Sequence, residues 1–184
     1  MATRLTLLCA GATASARRGG FPRSDERLDA GGRAKIAALE LEIAGQAWTS
    51  PARAAVETAA LLGLAAEQEA ALRDLDHGAW AGRSLEDLHA QDPDALIAWL
   101  AAPERGAPGG ERLESVAARM SAWMAQVAAA DRPVLAITHA AVIRAAIASA
   151  LGVPVAATLR IDVAPLSRTV LSFHGQWRLQ ELRR

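Results

Sequence analysis

The stretch that decides the fold is residues 132–154, RPVLAITHAAVIRAAIASALGVP. Its apolar run Val134–Ile137 predicts a buried strand. A turn at Thr138–His139 leads into a helical pattern that ends at Leu151, where a glycine and a proline supply stop signals. A strand, a tight turn and a helix of this kind form the repeating unit of α/β folds with parallel strands.

The N-terminal part of the chain repeats this alternation. Residues 3–9 are predicted to form a buried strand, and Asp29–Ala44 carries apolar residues at helical spacing with a glycine as its stop. A second strand, Ala47–Thr49, is predicted to lead into a helix with Ser50 as N-cap, proline at its first position and Gly63 as its stop.

The C-terminal part adds helices and two final strands. Shorter helices are predicted within 84–101, a surface loop rich in proline and glycine at 103–111, and one long helix over Glu111–Ala129. Residues 157–182 alternate as antiparallel strands at the edge of a sheet do. We therefore predict one α/β domain over residues 1–184, with three layers: a mostly parallel mixed sheet and helices on both faces.

The composition narrows the functional classes. Of 184 residues, 52% are hydrophobic, and 20 basic residues balance 20 acidic ones. No basic stripe interleaved with aromatic residues is present, so we expect no nucleic-acid binding. The single cysteine, Cys9, rules out an internal disulfide, and no Cys/His cluster has metal-binding spacing. These features favour a reducing, cytoplasmic setting without a bound metal or other cofactor.

The first 18 residues share some features with a secretory signal, namely Arg4, an apolar stretch and an Ala-Ser-Ala sequence. The apolar stretch is short and interrupted by threonine, so we expect that it is not a leader. No run of 18 apolar residues predicts a membrane span.

Three strand-to-helix junctions are the places where chemistry is expected, at Cys9–Thr13, Thr49–Arg53 and Thr138–His139. All three follow the carboxyl end of a predicted strand, and ligands bind at that edge of an open parallel sheet. Helix N-termini at such junctions carry free N–H groups that favour an anion.

Six segments, in their order and spacing, resemble the histidine phosphatase (phosphoglycerate mutase-like) superfamily over nearly the whole chain. The segments are RLTLLCAGATASARRGGFPRSDERLDAGGRAKIAAL (4–39), WTSPARAAVETA (48–59), LRDLDHGAWAGRSLEDL (72–88), PGGERLESVAARM (108–120), ITHAAVIRAAI (137–147) and PLSRTVLSFHGQWRLQEL (165–182).

The resemblance implies the phosphoglycerate mutase-like fold and phosphohistidine chemistry. In that chemistry, an Arg-His-Gly at a strand end supplies a nucleophilic histidine. Two arginines and a second histidine hold the phosphoryl group, and a carboxylic acid protonates the leaving oxygen.

This sequence departs from the family where the chemistry begins. The Arg-His-Gly positions fall on Cys9, Ala10 and Gly11, so alanine replaces the nucleophile. The catalytic arginine of the second motif falls on Ala54, with Arg53 one residue early. One residue is about 100° around a helix, so Arg53 is no direct substitute.

Two catalytic positions keep the family's residue types: Asp74 matches the general acid and His139 the second histidine. Thr13, Ser50 and Glu111 match positions at the pocket or its rim. His139 and Asp74 each have a plainer alternative. A histidine at a junction often bonds a nearby carbonyl, and an aspartate near a turn often caps an N–H. The expected ligand-contacting residues are Cys9, Gly11, Thr13, Ser50, Arg53, Asp74, Glu111 and His139.

Other residues near the expected pocket carry weaker predictions. A Cys9 thiolate replacing the lost imidazole is disfavoured, because alanines surround it and a lone cysteine is more often a small buried hydrophobe. The loop arginines attract an acidic ligand or simply lie in solvent. These arginines are Arg17, Arg18 and Arg23. The remaining histidines are expected at the surface or in turns; they are His77, His89 and His174.

We therefore predict a catalytically inactive member of this fold, a pseudoenzyme, that binds a small phosphorylated or anionic ligand or a protein partner. Two alternatives stay open. One is a weak or altered phosphatase, similar to α-ribazole or broad-specificity phosphatases, that uses Asp74 and His139 without a phosphohistidine. The other is a structural interaction module with a closed pocket; a homodimer is also left open.

Overall fold

The described residues, 3–39 and 45–183 of a computed structural model, form a six-stranded mixed sheet with helices packed on both sides. The sheet order is β3-β2-β4-β1-β5-β6. The strands are β1 (Thr3–Cys9), β2 (Gln46–Thr49), β3 (Glu67–Gln68), β4 (Val134–Thr138), β5 (Arg168–Phe173) and β6 (Trp177–Arg183). The helices are α1 (Ala14–Arg17), α2 (Ala30–Ala37), α3 (Arg53–Leu61), α4 (Leu85–Gln91), α5 (Pro93–Ala101), α6 (Leu113–Ala128) and α7 (Ala140–Leu151).

The central strand β4 lies between β1 and β2 and runs parallel to both, and β2 is also parallel to β3. In this register Cys9 lies opposite Thr138, and Thr49 lies opposite Ile137. The carboxyl ends of three strands therefore meet side by side. On the other side of β1, strands β5 and β6 are antiparallel, which gives the predicted mixed sheet.

The alternation of side chains along β1 explains why both faces of the sheet are covered. Leu5 and Leu7 belong to a core formed with α6 and α7, whereas Leu8 belongs to a core that includes Ala55 and Ala59 of α3. Successive residues of a strand point to opposite faces, so one strand contributes to two cores. The predicted apolar face of α6 is confirmed: Leu113, Val116, Met120, Met124 and Val127 are all buried.

The predicted helix over Asp29–Ala44 is too long. The helix α2 ends at Ala37, and Asp29 is its N-cap, accepting a 2.6 Å hydrogen bond from the N–H of Gly32. Two of its eight residues are glycines, which weaken a helix interior. Residues 40–44 lie outside the described part of the chain.

The predicted N-cap role of Ser50 is wrong. Helix α3 begins at Arg53 with Ala52 as its N-cap. The Ser50 hydroxyl instead accepts the N–H of Ala52 at 3.1 Å, the local turn that serine forms with a backbone group two residues ahead.

The C-terminal strands occupy less of the chain than predicted. Strands cover Arg168–Phe173 and Trp177–Arg183. Of these two strands, β6 lies at an edge of the sheet, whereas β5 lies between β1 and β6. Residues Val155–Arg160 form a 3₁₀-helix, in which the Thr158 hydroxyl donates to the carbonyl of Val155.

Among the described residues, no helix is both long enough and apolar enough to cross a membrane.

We expect Met120→Ala to lower the free energy of unfolding by about 2–5 kcal/mol, because the Met120 side chain is fully buried between α6 and the sheet. Urea denaturation monitored by circular dichroism measures this loss. Ile97→Ala is the matched control: Ile97 is 63% exposed, so its loss should stay within about 0.5 kcal/mol. Equal losses in both variants would contradict this assignment of the core.

Candidate active site

The three predicted junctions converge on one open cleft at the carboxyl ends of β1, β2 and β4. Its described lining includes residues 9–13 after β1, 51–54 before and within α3, 74–77 from a loop, and 139–141 at the start of α7. Arg144, one turn further along α7, also lines it. The cleft therefore has the position that the parallel sheet predicts for a ligand site.

The backbone after β1 is held firmly, although its side chains carry no charge. The N–H of Ala10 donates to the carbonyl of Thr138 at 2.7 Å, and the N–H of Gly11 donates to the Thr58 hydroxyl at 3.1 Å. A Cβ on Gly11 would lie 2.7 Å from Leu28, so only glycine fits here without a shift of its neighbours. The turn after β1 is thus held by hydrogen bonds, and Ala10 presents only a methyl group there.

Ala54 and Arg53 lie at the start of α3, where the resemblance places the second arginine. Ala54 is buried and packs with Leu28 and Ile36. Arg53 reaches the cleft lining, but its Nε lies 3.2 Å from a carboxylate oxygen of Glu57, one helical turn along α3. Arg53 thus carries a charge near the site, and this charge is paired with Glu57.

His139, Asp74 and Ser50 form the polar network of the cleft. The His139 Nε2 atom lies 2.8 Å from the Ser50 hydroxyl, and its Nδ1 atom lies 3.3 Å from a carboxylate oxygen of Asp74. Ser50 is fully buried, and the His139 side chain is 12% exposed. Ser50 therefore lies behind His139 rather than in the lining, and it is too buried to contact a ligand.

The hydrogen bonds in this network assign the proton of His139. The Ser50 oxygen accepts the N–H of Ala52 and can still either donate to His139 Nε2 or accept from it. The ionised carboxylate of Asp74 only accepts, which favours a proton on the Nδ1 atom that faces it and a bare Nε2 that accepts the Ser50 hydroxyl proton. The proton of the neutral ring then lies on Nδ1, facing the acceptor oxygen of Asp74. His139 consequently directs its Nδ1 proton toward Asp74, so an anion in the cleft would compete with that carboxylate for it.

Asp74 fits both predictions made for it, a cap of a backbone N–H and a residue that contacts a ligand. One carboxylate oxygen accepts the N–H of Leu75 at 2.8 Å, which is a local capping bond, and the other faces His139. The Asp74 side chain is 26% exposed and lines the cleft, so it is positioned to contact a ligand as well.

Burial makes the Cys9 thiol unreactive. Its burial, and second the charge of Asp74, raise the pKa of Cys9 to about 12, while Arg144 acts in the opposite direction. Because only the thiolate is nucleophilic, a thiol with this pKa is inert near neutral pH. The structure thus supports a packing role for Cys9.

Glu111 does not lie at the pocket rim. It is absent from the cleft lining and forms ion pairs with Arg119 at 3.0 Å and Arg73 at 3.1 Å. Arg119 in turn donates to the carbonyls of Ala71 and Asp74. Glu111 therefore affects the cleft indirectly: it holds Arg119, and Arg119 fixes the backbone of the loop that carries Asp74.

The loop arginines in the cleft lining already have carboxylate partners. Arg17 forms a two-point ion pair with Asp29, and Arg23 forms one with Asp25. Thr13 lies in the lining and caps α1 by accepting the N–H of Ala16. Arg18 is not part of the described lining.

His77 is one of the cleft-lining residues that the sequence prediction missed. It is half-buried, lines the cleft, and stands edge-on to Phe21 with ring centroids 5.2 Å apart. Burial lowers the pKa of His77, with the nearby Asp74 opposing this shift. Its position three residues after Asp74 was the available signal, whereas His89 and His174 are exposed as predicted.

Among the described residues, no group of three side chains could hold a metal ion.

Comparisons with known proteins agree with this geometry. A model of the histidine phosphatase superfamily (branch 1) matches residues 5–183. Glucosyl-3-phosphoglycerate phosphatase of Mycobacterium tuberculosis is 32% identical over 122 residues, covering 59% of this chain and 55% of that protein. The match thus spans about half the length of this curated relative.

Solved structures give the same fold over nearly the full length. The native mycobacterial glucosyl-3-phosphoglycerate phosphatase is 29% identical with a TM-score of 0.83, covering 97% of both chains. That protein is also solved with vanadate (29% identical, TM-score 0.82, 96% of both chains) and with inorganic phosphate (27%, 0.80, 98% of this chain and 97% of that one). The α-ribazole phosphatase of Shigella flexneri has a TM-score of 0.86 at 20% identity, covering 98% of this chain and 96% of that one, and shows the fold alone.

We predict that Cys9 in the folded protein resists iodoacetamide at pH 8. A thiol with a pKa of about 12 has a thiolate fraction on the order of 10⁻⁴ at that pH, and the buried sulfur is also shielded from the reagent. Mass spectrometry of the protein with and without guanidinium chloride measures the labelling. Rapid labelling of the folded protein would show that Cys9 is accessible after all.

Ser50→Ala should change the protonation of the His139 ring, because the variant loses the hydroxyl that donates to Nε2. Nitrogen-15 NMR of the imidazole should show a bare Nε2 and a protonated Nδ1 in the unaltered protein, and a mixture of both tautomers in the variant. Thr49→Val is the control, since the Thr49 hydroxyl bonds the Ser50 carbonyl and not the ring. A protonated Nε2 in the unaltered protein would refute the assignment.

Proposed function

Because this chain belongs to the histidine phosphatase superfamily, we propose that it retains the ligand cleft of that family without its phosphohistidine chemistry. It binds a small phosphorylated or anionic ligand and does not turn it over efficiently.

The end of β1 carries this proposal. Ala10 occupies the position of the nucleophile on an intact, hydrogen-bonded turn, and the flanking position holds the buried Cys9. Removing a covalent nucleophile alone costs roughly a million-fold in kcat in a serine protease. The alanine at position 54 removes further stabilisation of transition-state charge.

Three features support a small anion as the ligand. The Nδ1 proton of His139 lies at the cleft, where an anion would compete with Asp74 for it, and α3 and α7 both begin there. The mycobacterial relative is solved with inorganic phosphate and with vanadate. The lining arginines Arg17, Arg23 and Arg53 are already ion-paired, so an anion competes with Asp29, Asp25 and Glu57 for them. We therefore expect weaker phosphate binding than a site with free arginines would give.

One observation favours a second candidate, a weak phosphatase that uses direct attack by water. Asp74 lies in the cleft beside His139 at 3.3 Å, which is the arrangement of a general base with a neighbouring donor. Since His139 Nε2 is bonded to Ser50 and Nδ1 carries the proton, Asp74 would be the group that accepts a proton from water. The relatives are phosphatases, which supports this candidate as well.

The open cleft argues against the third alternative, an interaction module with a closed pocket. We further propose that the chain is one domain over residues 1–184 and works in a reducing, cytoplasmic setting. The single, buried Cys9 supports the second part of this proposal. A homodimer or a protein partner fits the proposal equally well.

The test is phosphate release from a panel of phosphomonoesters by two forms of the protein. We expect no release above background from the unaltered protein, and hydrolysis by the triple variant Cys9→Arg, Ala10→His, Ala54→Arg, which restores the family's side chains. The three positions are buried, so circular dichroism must first show that the triple variant folds.

Turnover by the unaltered protein that Asp74→Ala abolishes would contradict the proposal and establish the second candidate. Turnover that survives in Asp74→Ala would point to a contaminating phosphatase. Binding of inorganic phosphate is measured separately, by titration calorimetry at low ionic strength.

A further inference from the structure

The part of the cleft that would face the body of the ligand is apolar. We call it the aromatic wall and define it by Phe21, His77 and Trp99, with Leu85 beside it at the cleft mouth. Leu85 is 36% exposed and Trp99 is half-buried, so both offer apolar surface to a ligand. Such surface with few polar groups is typical of sites for small organic molecules.

The aromatic wall is a fixed surface. Phe21 contacts His77, Trp80 and Trp99 edge-on, with ring centroids 5.2, 5.2 and 5.3 Å apart. Trp80 is fully buried behind the wall and supports Trp99 at 5.9 Å. The backbone of Phe21 is bonded in both directions, to Arg83 at 2.9 Å and to Gly82 at 2.6 Å. Contacts from several chain segments therefore hold the rings in place before a ligand arrives.

The wall is also uncharged near neutral pH. Burial lowers the pKa of His77, so its ring is neutral and packs as an aromatic group against Phe21. A flat apolar group gains both buried area and edge or face contacts against such rings.

Three arginines of the lining already donate hydrogen bonds to protein acceptors. Arg17 and Arg23 are held by two-point bonds to Asp29 and Asp25. The guanidinium of Arg144 donates its Nε–H to the carbonyl of Ile161 at 2.9 Å. These contacts already use part of the hydrogen-bonding capacity of each group, whereas an apolar ring against the wall needs none of it.

We infer that the ligand is an anion that carries a small aromatic group, with the anionic end at the cleft floor near His139 and the ring against the aromatic wall. This inference rests on the proposed function, namely that the cleft binds an anion without efficient turnover. It adds the chemical class of the body of the ligand: an aryl phosphate or aryl carboxylate rather than a sugar phosphate.

Phosphonates test this inference because they keep the anionic group and are not hydrolysed by phosphatase chemistry. Titration calorimetry compares phenylphosphonate with methylphosphonate, and glycerol phosphate and benzyl alcohol complete the set. We expect phenylphosphonate to bind at least about tenfold more tightly than methylphosphonate, because only the phenyl group reaches the wall. Trp99→Ala should remove most of this preference and Leu85→Ala part of it, whereas Ile97→Ala, on the exposed side of α5, should leave it unchanged.

The outcomes separate this inference from the proposed function. Equal affinity for the two phosphonates overturns the aryl class and leaves anion binding in place. Tighter binding of glycerol phosphate than of phenylphosphonate does the same and indicates a polar ligand. Saturable binding of benzyl alcohol with no binding of either phosphonate overturns the anionic ligand and, with it, the inference as stated. No binding by any of the four overturns both.

Discussion

The structure depends on the parallel pairing of β4 with β1 on one side and β2 on the other. This register places Cys9 beside Thr138 and Thr49 beside Ile137, so three chain segments leave the sheet at one level. The hydrogen bond from the N–H of Ala10 to the Thr138 carbonyl extends the pairing one residue beyond the strand. The cleft is thus a product of backbone geometry, and it forms around the uncharged residues Cys9, Ala10 and Ala54.

The alanines at positions 10 and 54 also affect the energetics of the cleft floor. Ala10 and Ala54 are buried and join apolar clusters on the α3 side of the sheet. Buried cations must lose hydration and find partners, and like charges close together repel each other. A floor without them removes these costs, in line with the trade between stability and activity at catalytic sites.

Much of the fold could be predicted from the sequence, because long apolar runs and glycine stops mark β1, β4, α6 and α7 clearly. The site was harder to predict where a role depends on contacts between distant residues. Ser50 looks like a helix cap in sequence, yet its hydroxyl bonds His139, 89 positions away. Glu111 looks like a rim residue until Arg119 is seen to take its carboxylate. His77 packs edge-on against Phe21, 56 positions earlier in the chain, and no local pattern connects the two residues.

The ion pair of Glu111 with Arg119 has a consequence for the kinetics of binding. Arg119 holds the carbonyls of Ala71 and Asp74, and Glu111 neutralises it, so the loop that carries Asp74 is braced against α6. A site braced in this way has its partners in place before an encounter and loses little conformational entropy when it is filled. Association at this cleft is then governed by diffusion and orientation rather than by a slow closing step, and differences in affinity between ligands arise mainly from how fast each one leaves.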